Sequence, residues 1–522
     1  MPEAVPESPR DLGLPFDEFR PGQRKAIAQI INEIKGKRII VLEGPTGSGK
    51  SAIGLSVAAM LEAKTVVTTQ TKQLARQYQE SFDFVKIIEG RDNFYCPLVP
   101  SLTCAEGPCI TSFKCVDKKS ICPYYIQKNE AIESGCAITN IWYYINEVNF
   151  VGALGGRDLL IVDEGHLLEQ ALLSVVSIDI SADQFARVGI SRIPSFGSVT
   201  DAVSWAMGNI GKLTKRFESI DYDGDPKGYR RYKTQISKLK DLIDNANERE
   251  WLLTKNFYGY SVKPVWVTKY GTPLVFSHAE RVLVMSATIR DPTQFAKTLG
   301  INESEMAYVE MPNYFPKENR PINFWPVAPI GYKSSHDEMM RMVDAVDRIL
   351  EKHEHEKGVL HTVSYKLRDL ILENTKYIER FIYHDFKNRE QVIEEFKNSS
   401  GNYVLISPSV AIGLDLPDDQ GRFNIIAKVP WLDLSDLQVK RRQKEDPGWY
   451  VWSTVCALIQ SCGRTTRSGS DWSTSYILDQ NAEWFLKRNS KMFPQWWKEA
   501  VYRIGGVDEA VVPSVVSQEK FI

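Results

Sequence analysis

The segment Gly44-Pro45-Thr46-Gly47-Ser48-Gly49-Lys50-Ser51, here called the glycine loop, has the pattern G-x-x-x-x-G-K-S/T. Glycines in this pattern let backbone N–H groups approach phosphate oxygens at the start of a helix, whose positive end also favours anions. We predict that Gly44, Thr46, Gly47, Ser48 and Gly49 line the phosphates of a nucleotide. Lys50 would reach the β- and γ-phosphates, and Ser51 would ligate Mg²⁺. A chance match is disfavoured by the apolar run before the loop and the helical pattern after it.

Two adjacent carboxylates, Asp163 and Glu164, follow the apolar run 158–162. Ligands of open α/β sheets bind at the carboxyl ends of the strands. Asp163 is suited to a direct or outer-shell contact with Mg²⁺, and Glu164 to orienting or deprotonating the attacking water. Acidic residues at strand ends are common, so this interpretation depends on the glycine loop.

Two arginines, Arg464 and Arg467, lie three positions apart on one face of a predicted helix that also carries Gln460. Both guanidinium groups could reach a γ-phosphate and stabilise the charge that develops in the transition state. A basic surface helix is the alternative. If the arginines serve the nucleotide on the glycine loop, the site lies between two domains, and ATP binding and hydrolysis would close and open a cleft.

Five of the eight cysteines fall in one short, non-periodic stretch: Cys96, Cys104, Cys109, Cys115 and Cys122. In an intracellular ATPase such clustering favours a metal site over disulfides. Four thiolates are what a [4Fe–4S] cluster needs. Structural zinc sites usually contain cysteine pairs separated by two to four residues, and among neighbouring cysteines of this stretch only the pair 104 and 109 fits. The other cysteines are predicted to lie in hydrophobic cores.

Short apolar runs and helical patterns must position these motifs. Strands are predicted at 37–43, 65–69, 158–162 and 281–285, and again at 357–362, 403–407, 424–429 and 475–479, with helices over 52–63 and 72–81. This alternation predicts parallel sheets covered on both faces. A second α/β domain therefore begins near Pro316. Residues 90–130, rich in Cys, Pro and Lys, and residues 171–262, polar and largely helical in pattern, read as inserts.

The overall composition is that of a globular protein, with 522 residues and a net charge of −2. Because a protein that coats DNA usually carries a basic surplus, any binding of nucleic acid is expected in local grooves. Residues 212–240 hold nine Lys/Arg against four Asp/Glu, which suits phosphates as well as it suits a solvated helix face. No apolar run approaches the roughly 20 residues that cross a bilayer, and the amino end lacks the features of a secretion signal. We expect a cytoplasmic protein without a membrane segment.

Taken together and in order, the motifs resemble those of superfamily 2 helicases of the XPD/DinG type, the iron–sulphur branch, from Phe19 to about Asp479. Arg20-Pro21-Gly22-Gln23 resembles the element whose glutamine reads adenine. Thr69-Gln70-Thr71-Lys72-Gln73-Leu74 resembles a motif that touches the DNA backbone. Asp163-Glu164-Gly165-His166 resembles the DEAH box with Gly in place of Ala, and Ser286-Ala287-Thr288 resembles the motif that couples hydrolysis to DNA.

The second half continues the resemblance. Ser364 stands where the family's fourth motif falls, and Gly413-Leu414-Asp415-Leu416-Pro417 resembles the fifth, with Ile412 in the place of a common glutamate. The resemblance thereby adds Gly413 and Asp415 to the nucleotide-binding residues. Gln460 to Arg467 matches the sixth motif, including the glutamine, the glycine and both arginines.

The family resemblance also covers the cysteines. Gly90 to Pro97 resembles the segment that ends in the first cluster ligand, and Cys122-Pro123-Tyr124-Tyr125 resembles the one that begins with the last. The family's spacing then implies a [4Fe–4S] cluster on Cys96, Cys109, Cys115 and Cys122, with Cys104 as an alternative to Cys109 or Cys115.

The family architecture that the resemblance implies has two RecA-like motor domains. The first comprises 1–89, 131–170 and 263–315, interrupted by an iron–sulphur domain at 90–130 and a small helical Arch at 171–262; the second comprises 316–522. The two inserts would form a hole through which single-stranded DNA passes, with the cluster domain as a wedge at a DNA fork. This implies a monomeric ATP-dependent 5′–3′ DNA helicase. A nucleotide-switched DNA-binding protein and a translocase that acts on RNA or protein are the alternatives.

Overall fold

The computed structural model describes residues 4–110, 115, 118–222, 224–385, 388–408, 416, 418–462 and 471–509. Within these residues the chain forms two seven-stranded sheets and a smaller three-stranded sheet. None of the described helices is both long and apolar enough to cross a membrane.

The strands are β1 Ile39–Glu43, β2 Thr65–Thr69, β3 Val85–Ile87, β4 Cys136–Asn140, β5 Arg157–Val162, β6 Ile178–Ser181, β7 Trp251–Asn256, β8 Gly259–Pro264, β9 Ala279–Ser286, β10 Met306–Glu310, β11 Ile322–Ala328, β12 Gly358–His361, β13 Phe381–Tyr383, β14 Val404–Ser407, β15 Phe423–Ile426, β16 Thr474–Asp479 and β17 Val501–Arg503. The α-helices are α1 Gln23–Glu33, α2 Lys50–Met60, α3 Lys72–Ser81, α4 Lys118–Ile121, α5 Pro123–Glu133, α6 Ile141–Asn146, α7 Leu168–Val176, α8 Ala182–Ala186, α9 Val199–Glu218, α10 Pro226–Asn245, α11 Gly271–Leu274, α12 Pro292–Leu299, α13 His336–Lys352, α14 Tyr365–Asn374, α15 Arg389–Asn398, α16 Leu437–Glu445, α17 Pro447–Cys462, α18 Asn481–Arg488 and α19 Gln495–Lys498.

The first sheet is parallel throughout, in the order β10-β1-β9-β5-β2-β4-β3. Every residue of β1 and β2 is buried, as expected for strands covered by helices on both faces. The four central strands β1, β9, β5 and β2 are the ones whose carboxyl ends carry the sequence motifs. The fold therefore gathers motifs that are up to about 240 residues apart in sequence at one edge of one sheet.

The second sheet is also parallel, in the order β13-β14-β12-β15-β16-β11-β17. Four of its strands are those predicted from sequence, and the prediction of two parallel-sheet domains is confirmed. The sequence analysis missed several outer strands of both sheets, among them β3, β13 and β17. Each of these three has only three residues, too few to show a periodic pattern.

The second insert (171–262) contains, besides the predicted helices, a three-stranded sheet that the sequence analysis did not predict. Its first residues belong to α7, whose Leu168, Ala171 and Leu172 are buried in the core of the first sheet. Beyond α7, helices α8 to α10 pack on the antiparallel sheet β6-β8-β7. Strands β7 and β8 pair from Trp251 with Pro264 to Asn256 with Gly259, leaving a two-residue turn. Burial alternates along β8 but not along β7, so the hairpin as a whole lacks the period-two pattern that predicts strands.

Candidate functional site

The glycine loop joins β1 to α2 in a conformation that requires glycine. Gly47 and Gly49 have φ angles of 79° and 74°, which side chains other than glycine rarely adopt. A Cβ atom on Gly49 would lie 2.4 Å from Nε2 of Gln23. Lys50 begins α2, and its Nζ atom donates to the carbonyl oxygen of Gly44 at 3.0 Å. The loop thus presents the helix start and the lysine together, as a phosphate site needs.

Two residues upstream of β1 brace this loop. Gln23 is buried, and its Nε2 donates to the carbonyl oxygen of Ser48 at 2.9 Å while its Oε1 accepts from the backbone N–H of Arg20 at 2.9 Å. The Arg20 guanidinium donates to the carbonyl oxygen of Gly47. Both residues therefore lie beside the loop where the sequence analysis placed them, and adenine recognition by Gln23 stays a prediction.

The paired carboxylates face the same cavity. Asp163 is buried; its Oδ2 accepts from the Tyr78 hydroxyl at 2.8 Å and its Oδ1 from the backbone N–H of Glu164 at 3.0 Å. Burial, and then the charge of Glu164, raise the pKa of Asp163 to about 6, against the opposing effect of Lys50. Glu164 has a φ of 53°. Such left-handed geometry in a residue other than glycine is typical of functional sites.

Tyr78 is a site residue that the sequence analysis missed. It lies on α3, and burial and then the charge of Asp163 raise its pKa, so its hydroxyl keeps the proton. The hydroxyl interacts with the side chains of both Asp163 and Ser51. The side-chain oxygens of Asp163 and Ser51 both lie near this hydroxyl and are therefore close enough to share one Mg²⁺ ion, which prefers oxygen ligands. The donor set predicted for the metal therefore fits.

An open cavity of about 440 Å³ brings these residues together. Arg20, Gln23, Thr46, Gly47, Gly49, Lys50, Ser51, Tyr78, Asp163 and Glu164 all line it. Its size is within the range typical of sites for small ligands.

A chain of hydrogen bonds connects the motifs of the first sheet. The backbone N–H of Gly44 donates to the carbonyl oxygen of Ser286 at 2.9 Å. The Ser286 hydroxyl lies 2.9 Å from Nδ1 of His166, which is itself 3.4 Å from a carboxylate oxygen of Glu164. The glycine loop, the acidic motif and the Ser286 motif are therefore in direct contact.

Helix α17 attaches the second sheet to this network, at a contact we call the seam (α17 with residues 288–290). Nε2 of Gln460 donates to Oγ1 of Thr288 at 2.6 Å. About two helical turns earlier, Nε1 of Trp452 donates to the carbonyl oxygen of Ile289 at 2.7 Å. Gln460 thus contacts the loop that follows β9 of the first sheet. Arg464, Arg467, Gly413 and Asp415 lie outside the described residues.

Arg290, which forms an ion pair with Glu43, makes a further contact near the seam that the sequence analysis missed. Glu43 is buried directly before the glycine loop, and Arg290 donates to it and to Glu310, each at 2.9 Å. Nε of Arg290 donates to the carbonyl oxygen of Met492, between α18 and α19, at 3.2 Å. Burial opposes the charge of Arg290, but Glu43 and Glu310 outweigh it and raise the pKa. No sequence signal marked this pair, because neither residue belongs to a recognised motif.

The cysteine segment (90–130) gathers its thiols around a separate small cavity. Cys96, Cys104, Cys109, Cys115 and Cys122 all line it. Among the described residues no three Cys, His, Asp or Glu side chains converge on a point that could hold one metal ion. Thiolates are the ligands that an iron–sulphur cluster requires. The donor set fits the predicted cluster in its chemistry.

Cys104 is not remote from the other thiols of the segment. Its Sγ lies 3.7 Å from Sγ of Cys122, and burial raises its pKa to about 12. Tyr124 is buried, packs with Cys96, Cys104 and Cys122 and hydrogen bonds to Tyr143, while Tyr95 is exposed. The structure thus keeps Cys104 among the candidate ligands.

The fold and both halves of the sequence match known proteins. Residues 17–194 match the family described as type III restriction enzyme, res subunit, and residues 346–500 match the helicase C-terminal domain. A probable ATP-dependent helicase of Methanocaldococcus jannaschii is 21% identical over 97% of this chain and 98% of its own length.

Solved structures give the same result at the level of the fold. A structure titled XPD helicase aligns with a TM-score of 0.67 and 14% identity over 93% of this chain and 100% of its own. That of Xpd4 from S. tokodaii aligns with a TM-score of 0.60 and 14% identity, over the same shares. These matches confirm the resemblance drawn from the motifs.

Proposed function

We propose that this chain, which is an ATP-dependent helicase of superfamily 2 and of the XPD type, moves as a monomer along single-stranded DNA from 5′ to 3′ and opens forked DNA. The observation that carries the proposal is the hydrogen bond from Gln460 to Thr288 at the seam. It ties the helix of the second sheet to the loop that also contacts the glycine loop. Hydrogen bonds would then connect a nucleotide bound at Lys50 to both motor domains, so its hydrolysis can change the contact between the domains.

The catalytic residues would divide the chemistry between them. Lys50 and the N-terminus of α2 hold the phosphates, and Ser51 and Asp163 hold Mg²⁺, which neutralises charge on the phosphate oxygens when bound. Glu164, oriented next to His166, positions the attacking water. Arg464 and Arg467, on the segment that continues from α17, would stabilise the γ-phosphate from the second domain.

We further propose the domain boundaries predicted from the sequence, with motor domain 1 in the pieces 1–89, 131–170 and 263–315 and motor domain 2 at 316–522, except that the rest of α7 also belongs to motor domain 1. The cysteine segment would hold a [4Fe–4S] cluster on Cys96, Cys109, Cys115 and Cys122. Such a cluster would be structural here and stabilise a segment with little secondary structure of its own. The second insert would act as the Arch.

Contacts between the two inserts support a passage for DNA. Arg230 on α10 forms two parallel hydrogen bonds with Asp92 of the cysteine segment, at 2.7 and 2.9 Å. The Tyr222 hydroxyl donates to the carbonyl oxygen of Glu106 in the same segment. Both inserts arise from the first sheet, so a contact between them closes a loop of protein that a single strand could thread.

Reversing one charge of this contact should release DNA faster. We expect Arg230→Asp to dissociate from circular single-stranded DNA roughly twofold to fivefold faster than the unmodified protein, since an exposed ion pair contributes modestly. The double variant Arg230→Asp/Asp92→Arg should restore the slower rate, measured by competitor challenge. Arg231→Asp, the same charge change at the adjacent exposed position, is the matched control. Equal effects of both single variants would contradict a closing role.

Strand displacement tests the proposed function. Duplexes with a 5′ or a 3′ single-stranded overhang, each carrying a labelled strand, are incubated with the protein and ATP. We expect displacement from the 5′-overhang substrate and none without ATP. Nucleotide-dependent retention of DNA without displacement would instead indicate a nucleotide-switched binding protein. Stimulation of ATP hydrolysis by RNA alone would exclude a DNA-directed motor.

A further inference from the structure

Two exposed tyrosines flank one arginine at the carboxyl edge of the second sheet. Tyr365 is the first residue of α14, after β12, and Tyr383 is the last residue of β13. Their exposed fractions are 44% and 54%. The Arg368 guanidinium lies 4.8 Å from the ring centre of Tyr365 and 5.8 Å from that of Tyr383. One cation thus supports both rings.

Arg368 is itself held by the protein. Its Nη1 donates to the carbonyl oxygen of His384 at 2.7 Å, and its Nε and Nη2 donate to Asp369 at 2.7 and 2.5 Å. The side chain is only 14% exposed. Because its donors are engaged within the domain, Arg368 is suited to fixing the two rings rather than to binding a ligand directly.

The position of the pair indicates a ligand. Strands β13, β14 and β12 are neighbours, so both tyrosines lie at the edge where parallel sheets bind ligands. The turn between β12 and α14 contains Val363 with a φ of 61°. A β-branched residue in this conformation is rare and is concentrated at functional sites.

We propose that Tyr365 and Tyr383 stack against bases of the single strand on which the motor moves, an inference that rests on the proposed function. Aromatic rings bind any base through its π-face, which suits a motor that must pass every sequence. The α14 N-terminus beside Tyr365 offers backbone N–H groups to the adjoining phosphate. The two rings contact a charged guanidinium, so they form no continuous apolar patch of the kind that protein partners bury.

The test is binding of fluorescein-labelled oligo(dT) by anisotropy, in the full chain. We expect Tyr365→Ala and Tyr383→Ala each to raise the Kd about tenfold, and the DNA concentration that half-maximally stimulates ATP hydrolysis to rise in proportion. Phe at either position should preserve affinity because the ring does the stacking. Tyr332→Ala, which removes a fully exposed tyrosine elsewhere in the domain, should leave the Kd unchanged.

Unchanged affinity in both alanine variants would overturn the proposal, as would a Phe variant as weak as the Ala variant. Trp at either position keeps the test decisive if an alanine variant folds poorly, since a larger ring should bind at least as tightly. A matching loss on oligo(U) would support base stacking on either nucleic acid. If the unmodified chain fails to bind or displace DNA, the proposed function fails, which is a distinct result.

Discussion

Lys50→Ala is expected to lower kcat for ATP hydrolysis by about a thousandfold and to abolish strand displacement with it. The lysine ammonium is the only charge that the glycine loop itself contributes, and it lies 3.0 Å from the Gly44 carbonyl oxygen at the mouth of the cavity. Removing it leaves the developing phosphate charge without its nearest cation from the first domain. Steady-state release of phosphate, with and without single-stranded DNA, measures the effect.

Lys35→Ala is the matched control for this variant. Lys35 follows the end of α1 and is exposed, so its removal changes the net charge equally and should leave turnover intact. Unimpaired DNA-stimulated hydrolysis by the Lys50 variant would refute the assignment of the glycine loop.

Cys122→Ser is expected to lose the brown colour, most of the iron and strand displacement, while keeping part of the ATP hydrolysis. Cys122 caps α5 and is buried in the cavity that the other four thiols of the segment line. Without this thiolate a four-iron cluster would lack a ligand, whereas the nucleotide residues lie on other elements. Iron and sulphide analysis with an absorbance spectrum, on protein purified without oxygen, measures the loss.

Comparison with Cys104→Ser decides which four of the five thiols act. We expect this variant to keep its iron, because the family spacing assigns the cluster to the other four. Iron loss in the Cys104 variant and its retention in the Cys109 or Cys115 variant would exchange their roles, and Cys104 lies close enough to Cys122 for that outcome. Cys456→Ser, on α17 far from the segment in sequence, is the control. Unchanged iron in the Cys122 variant would count against any cluster on this residue.

The sequence predicted those parts of the site whose signal is local. An apolar run followed by a motif, as in β1 with the glycine loop or β5 with Asp163, contains both the strand and the residue that the strand positions. Tyr78 and Arg290 escaped detection because their roles arise only when separate elements meet. Tyr78 is one of several polar or aromatic residues on α3, and nothing in its neighbours indicates that it faces Asp163.

The same reasoning explains why the three-stranded sheet of the second insert was not predicted. Helices α9 and α10 can be predicted from their long amphipathic patterns. Buried residues, such as Leu213 in α9 and Leu239 in α10, recur at helical spacing within each helix. The hairpin of β7 and β8 is short and mostly half-buried, β7 lacks an alternation of buried and exposed residues, and β8 also pairs with β6, which lies over 70 residues earlier. Contacts of that separation leave little trace in a window of sequence.

The path of the chain through the second insert has a mechanical consequence. The insert leaves the first sheet after Glu164 and His166, which follow β5, and returns before β9, which ends at Ser286. These two strands are neighbours, and the His166–Ser286 hydrogen bond joins their ends. If Glu164 positions the attacking water as proposed, a force on the second insert would act on the strand ends that hold Glu164 and His166. If the chain moves along nucleic acid as proposed, we expect a force that the bound strand exerts on the insert to slow ATP hydrolysis.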